Sequence, residues 1–255
     1  MLPICHVALV LEFSAQHQFF EKMNLKHSGN SLHEIYAQRD AHVGDKYKFF
    51  QADVRLHSAE KDFVVSDFLR QKYGGLVENL EVLDVGCGGG DTLVKFCDWG
   101  FEPTNLHGCD ILESRINQAK KKLPDGVTIT LGEPSDLAPE QYDLVTAFTV
   151  LSSVTDESMR QELAEQIWSK VKTGGWGLIF DFRVNNPRNR NVRKLLPEDL
   201  KRYWTNAESN TFFKTLCLAP PLARFICPIS YRLGFTLSLL PFLRTHFVYA
   251  MQKTK

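Results

Sequence analysis

The chain lacks net charge: its thirty Lys and Arg residues offset thirty Asp and Glu over 255 residues. No overall field therefore draws it to nucleic acid or to an anionic membrane, and any charged patch has to be argued by position. It also lacks a C-x-x-C pair. Cys5, Cys87, Cys97, Cys109, Cys217 and Cys227 are scattered, in a chain large enough to fold without covalent staples, which points to free thiols and a cytoplasmic location. The eight His residues form no H-x-x-x-H and no Cys partnership, so no metal site is expected. No run reaches the roughly 20 apolar residues needed to span a bilayer. The apolar opening from Pro3 to Leu11 has neither a basic leader nor a small-residue cleavage site, and reads as a buried or docking segment rather than a signal peptide. Internal repeats and low-complexity segments are missing as well.

What is present is an α/β pattern long enough for one large domain with additions. Between residues 79 and 182, short β-rich runs alternate with helical ones, the sequence sign of parallel βαβ units. The runs predict strands at Glu81 to Val85, Asn105 to Cys109, Val127 to Leu131, Asp143 to Phe148 and Gly177 to Phe182. Helices are expected from Asp91 through Trp99, from Glu113 to Lys122, and from Glu157 to Val171 with Gly174-Gly175 as its stop. Residues 14–73 read as helices rich in Phe and His. Two further strands are expected at Thr211 to Leu218 and Phe247 to Met251.

The stretch with the most chemistry is Asp84-Val85-Gly86-Cys87-Gly88-Gly89-Gly90-Asp91, an apolar strand entering a glycine-rich turn. Without Cβ atoms, such a backbone can adopt positive φ and approach a ligand closely. A dinucleotide fingerprint requires a small residue at the third place of Gly-x-Gly-x-x-Gly, and here that place holds Asp91. Asp110 ends the second strand 26 residues after Asp84, near the roughly 20-residue offset at which an acid meets a ribose in Rossmann-type sites.

The pattern Asp-x-Gly-x-Gly-x-Gly from Asp84 to Gly90 resembles the first motif of class I methyltransferases that use S-adenosylmethionine. The resemblance implies a Rossmann-like seven-stranded mixed sheet with helices on both faces. It implies an N-terminal helical lid within residues 1–78, a methyltransferase domain over 79–255, and an insertion at 219–243 passing over the active-site edge before a last antiparallel strand. It further implies that Asp84, Gly86, Cys87, Gly88 and Gly90 contact the cofactor and that Asp110, followed by Ile111, holds its ribose. Glu133 and Pro134 would flank the adenine, and Phe148 and Thr149 would pack beneath the cofactor and face substrate. Tyr36 and Arg39, in Ile35-Tyr36-Ala37-Gln38-Arg39-Asp40, look like a lid pair, one attracting a sulfonium and the other pairing with the methionine carboxylate.

Behind the fifth strand, Asp181 to Lys194 carries many donors and no acid after Asp181. Arg183, Asn185 and Asn186 there, with Arg244 from Leu243-Arg244-Thr245-His246, suit a hydroxyl-rich or phosphorylated substrate. His246 is the first candidate general base, on the ground that an unperturbed imidazole titrates near neutral pH. Asp181 is the second, with Arg183 beside it. Asp181 to Asn189, Leu218 to Arg224 and Leu243 to His246 together resemble a bacterial subset of the family, some of it associated with surface-polysaccharide or specialised-metabolite pathways. The expected activity is methyl transfer to a hydroxyl of a small molecule or glycan. N- or C-methylation, and a catalytically silent cofactor-binding partner protein, stand as alternatives. Nucleic acid is disfavoured by the neutral charge and by Thr149-Val150-Leu151-Ser152 standing where an Asn/Asp-Pro-Pro-Tyr/Phe motif would be.

Overall fold

A computed structural model describes residues 50–185, 191–204 and 207–254. Helix α1 (Ala52–Tyr73) precedes the sheet and stops at Gly74, which turns left-handed at φ 66° and returns its N–H to the Arg70 carbonyl. The chain then alternates: β1 (Val82–Val85), α2 (Asp91–Asp98), β2 (Leu106–Asp110), α3 (Glu113–Lys122), β3 (Thr128–Leu131), β4 (Tyr142–Phe148), α4 (Glu157–Lys170) and β5 (Val171–Phe182). Helix α5 (Pro197–Tyr203), β6 (Ala207–Leu218), α6 (Pro220–Ile226), α7 (Tyr231–Ser238) and β7 (Arg244–Lys253) complete it.

The strands form one seven-stranded sheet in the order β3-β2-β1-β4-β5-β7-β6. Strands β1 to β5 are parallel to one another, while β7 is antiparallel to both β5 and β6. Because side chains alternate along a strand, the sheet has two faces and builds two cores. Val82, Leu144, Leu178 and Val248 meet Val65 and Phe68 of α1, Leu93 and Phe96 of α2, and Ile116 of α3. Leu83, Val145, Ile179 and Phe247 meet Ala164, Ile167 and Trp168 of α4 and Leu200 of α5. The order reverses at β1, between β2 and β4, and open α/β sheets bind ligands in the crevice beyond the carboxyl ends of the strands at such a point.

The larger differences from the sequence reading lie after α4, among them β6, which begins at Ala207 rather than Thr211. Strand β5 begins at Val171, so Gly174-Gly175 lies within it, at a register irregularity where Val171 pairs with Tyr142 and Trp176 with Leu144. Strand β7 starts three residues earlier, at Arg244. The insertion at 219–243 folds into α6, opened by Pro220-Pro221, and α7, whose cap Ser230 accepts the Leu233 N–H at 3.2 Å.

Candidate active site

The glycine loop leaves β1 at the reversal point with Gly86, Gly88 and Gly90 all at positive φ, 66°, 54° and 81°. A Cβ on Gly86 would stand 2.6 Å from Val150 Cγ2, so the loop and the turn after β4 touch only because that atom is missing. A Cβ on Gly88 would meet nothing within 4 Å. The loop backbone there borders open space.

Asp110 fixes the loop from the next strand. Its Oδ2 accepts the Gly88 N–H and its Oδ1 accepts the Leu112 N–H, both at 2.9 Å. Each carboxylate oxygen keeps a second lone pair. Behind the loop, Asp84 is buried and accepts the Thr146 hydroxyl at 2.6 Å. Burial pushes its pKa up to about 7, against the Thr146 hydrogen bond and the charge of Lys61. Burial likewise holds the Cys87 thiol in its neutral form. On the β3 side, Glu133 is buried and Pro134 with it. Desolvation first, then Asp136 and Glu162, raise Glu133 to about 7, and its Oε1 has no hydrogen-bond partner among the described residues.

Across the crevice the ends of β4, β5 and β7 present an aromatic edge. Phe148 meets Phe180 edge-on with ring centroids 6.0 Å apart; His246 stacks on Phe180 at 5.1 Å and touches Phe182 at 4.1 Å. Thr149 follows β4 at φ 58°, a strained position for a β-branched residue, held by its N–H to the Phe180 carbonyl at 2.7 Å. Helix α1 closes this edge. Lys61 Nζ lies 5.4 Å from the Phe148 ring centre, and the His57 ring lies 6.2 Å from that of His246. His57 Nε2 contacts the Leu218 carbonyl at 2.8 Å. A carbonyl only accepts, so Nε2 carries the proton and Nδ1 of the neutral ring holds the lone pair.

A family model described as a methyltransferase domain matches residues 82–175. The ubiquinone biosynthesis O-methyltransferase of Bordetella avium is 30% identical over 147 residues, 52% of this chain and 58% of that protein. The protein of the same name from Escherichia coli strain SMS-3-5 is 33% identical over 162 residues, 60% of this chain and 62% of its own length. The chain thus spans less than two thirds of these relatives. Residues 82–175 thus match a methyltransferase domain. The solved magnesium protoporphyrin IX methyltransferase of Synechocystis PCC 6803, with bound S-adenosylmethionine, shares the fold at a TM-score of 0.56 and 15% identity, over 93% of this chain and 97% of that one.

Within this methyltransferase fold, the expected donor-side residues Asp84, Gly86, Cys87, Gly88, Gly90, Asp110, Ile111, Glu133 and Pro134 lie along the ends of β1, β2 and β3. Phe148 and Thr149 stand at the end of β4. An open backbone at Gly88, spare lone pairs on Asp110 and an orphaned buried oxygen on Glu133 fit the family's nucleoside-bearing donor. Tyr36, Arg39 and Asn186 lie outside the described residues.

On the acceptor side the structure describes the surroundings of five expected residues. His246 cannot rest its role as base on an ordinary pKa, because burial, with the nearby His57 adding, lowers it to about 3. Asp181 is fully buried, and its oxygens accept the Ser152 and Phe182 N–H groups at 2.9 and 2.8 Å. It pins the turn after β4 to the end of β5. The Arg244 guanidinium donates to the carbonyls of Ser238, Thr215 and Leu239, and that of Arg183 to those of Pro241 and Arg244. Both satisfy backbone in the turns around the insertion. Asn185, similarly, accepts the Lys194 N–H at 2.7 Å. Sequence reasoning missed His57 and Lys61. Their one signal was position, four residues apart and so on one face of a helix.

Proposed function

We propose that the chain binds S-adenosylmethionine in the crevice between the glycine loop and β3, and transfers its methyl group to a hydroxyl oxygen of a small acceptor with an apolar or aromatic body. The observation that carries the donor half is the Asp110 clasp on Gly88 beside open loop backbone. Asp110 accepts the two ribose hydroxyls on its remaining lone pairs, and Glu133 Oε1 accepts from the adenine amino group. Backbone N–H groups at the start of α2 suit the methionine carboxylate. Bound there, the cofactor supplies a methyl carbon on a sulfonium, open to in-line displacement by an acceptor atom. The protein's part is then chiefly positioning, which supplies up to roughly 7 to 11 kcal/mol in favourable cases.

The acceptor half rests on Phe148, Phe180 and Phe182, whose rings suit a planar or apolar body, and on the O-methyltransferase names of the curated relatives. Titration calorimetry with S-adenosylmethionine, S-adenosylhomocysteine and NAD tests the donor; binding of NAD alone would sink the reading. A methyl-release screen over phenols, sugars and amines tests the acceptor, with turnover expected on hydroxyls.

His57 is the better proton acceptor of the two imidazoles. Burial lowers the pKa of both, but the cation of His57 is supported by the Leu218 carbonyl and the Asp53 carboxylate, against Arg224. His246 has no such support. In His57→Asn the amide still donates to Leu218 while the base is lost. Turnover should fall about 100-fold or more with S-adenosylhomocysteine affinity kept. Because the base must be neutral, wild-type kcat/KM should drop as pH falls through the His57 pKa, which lies below the ordinary ~6.5, and this limb should be missing in the variant. An unchanged rate would remove His57 as base.

A further inference from the structure

Helix α7 turns two of its large apolar side chains outward. Its buried positions are Gly234 and Ser238, one turn apart, whereas Leu233, Phe235 and Leu239 are exposed. A helix of a soluble domain turns its apolar stripe inward. Here close approach decides otherwise: a Cβ on Gly234 would stand 2.6 Å from Cys227 Sγ, so only the bare backbone fits against the end of α6. At the other end of α7 the Ser238 carbonyl takes the Arg244 Nε–H at 2.6 Å. Leu237 packs on the cluster of Leu56, Leu218, Ala223 and Cys227, while Leu233 and Phe235 are left outside and the neighbouring segments extend them. Phe225 on α6 is 73% exposed, Ile229 between the helices 75%, and Phe242 after α7 78%.

Charge tells what covers this face. From Ser209 to Lys255 the sequence has no Asp or Glu, and the exposed charges that α6 and α7 carry are Arg224 and Arg232. In a chain with no net charge this is a marked asymmetry. Arg232 is exposed on α7 itself, and Arg224 is exposed on α6, where it also reaches Asp53 at 3.3 Å. Exposed Phe, Ile and Leu on helices that carry Arg and no acid of their own match a lipid interface, where apolar side chains enter the acyl boundary and guanidinium groups meet phosphates. A second copy of the same face would instead set Arg232 against a face that carries no acid on α6 or α7.

We propose that the α6–α7 face docks this chain on the surface of an anionic lipid bilayer. The test is sedimentation of the full chain with vesicles of phosphatidylcholine alone, or with about a third phosphatidylglycerol, in the absence of any cofactor or acceptor, so that it stands or falls apart from methyl transfer. The chain should pellet with the anionic vesicles at least about tenfold more than with the neutral ones, and less as salt rises. The triple variant Phe225→Ser, Ile229→Ser, Phe242→Ser and the single variant Arg232→Glu should each lose about tenfold or more of that binding. Both alter exposed side chains, so their thermal midpoints should match the wild type. Absence of pelleting with either vesicle would overturn the proposal, as would variants that bind like the wild type. A concentration-dependent dimer in light scattering that the triple variant abolishes would assign the face to a second copy instead.

Discussion

Replacing Asp110 by alanine will weaken S-adenosylhomocysteine binding by about 100-fold to 1000-fold. Hydrogen bonds to a charged group contribute about 1.5–3 kcal/mol each, and a carboxylate that accepts two ribose hydroxyls loses both on truncation. The same oxygens hold the Gly88 and Leu112 N–H groups, so the loop also loses its tie to β2. That second loss predicts a lower thermal midpoint, by about 2–4 °C for each kcal/mol in a chain of this size. Asp110→Asn separates the two effects. It keeps one acceptor oxygen and should lie between wild type and alanine in affinity. Calorimetry checks all three proteins, and a dissociation constant unmoved in the alanine variant would end the ribose assignment.

The second large effect is expected at Gly86→Ala. The new Cβ meets Val150 Cγ2 at 2.6 Å, and the residue sits at φ 66°. The left-handed backbone alone costs alanine about 1–2 kcal/mol, and overpacking a closed contact adds about 1–3 kcal/mol. Relief requires the glycine loop or the Thr149-Val150 turn to move, and both border the proposed donor site. The variant should therefore lose stability and at least about tenfold in cofactor affinity together. Adding Val150→Ala removes the overlap but not the backbone strain, so the double variant should recover part of both losses. A single variant that binds S-adenosylhomocysteine like the wild type would place the donor elsewhere.

The elements that carry the proposed donor side were legible in the sequence because their determinants are local. A strand, a glycine turn, a helix and a second strand with Asp110 at its end follow one another from Val82 to Asp110, and each signal is read without knowing what packs on it. Strand β5 was misjudged at its start for a related reason: Gly174-Gly175 after a helix reads as a C-terminal stop, whereas pairing of Val171 with Tyr142 draws the segment into the sheet. The acceptor side depends on distant partners. His57 meets Leu218 across 161 residues, and no periodicity reports that contact. Arg183 and Arg244 looked available because the sequence displays donors and hides the path of the backbone. The carbonyls of the turns around Ser238 and Pro241 needed partners, and these two guanidinium groups supply them.

The antiparallel course of β7 has an evolutionary consequence. Since β6 ends at Leu218 and β7 begins at Arg244, with Ala219 N–H bonded to the Leu243 carbonyl at 2.8 Å, the intervening 25 residues leave and return at one doorway. Such a segment can be lengthened, shortened or exchanged as a cassette without shifting the register of any strand. Descendants of this scaffold could acquire a new clientele by rewriting that cassette, while the half of the sheet that carries the glycine loop is inherited intact.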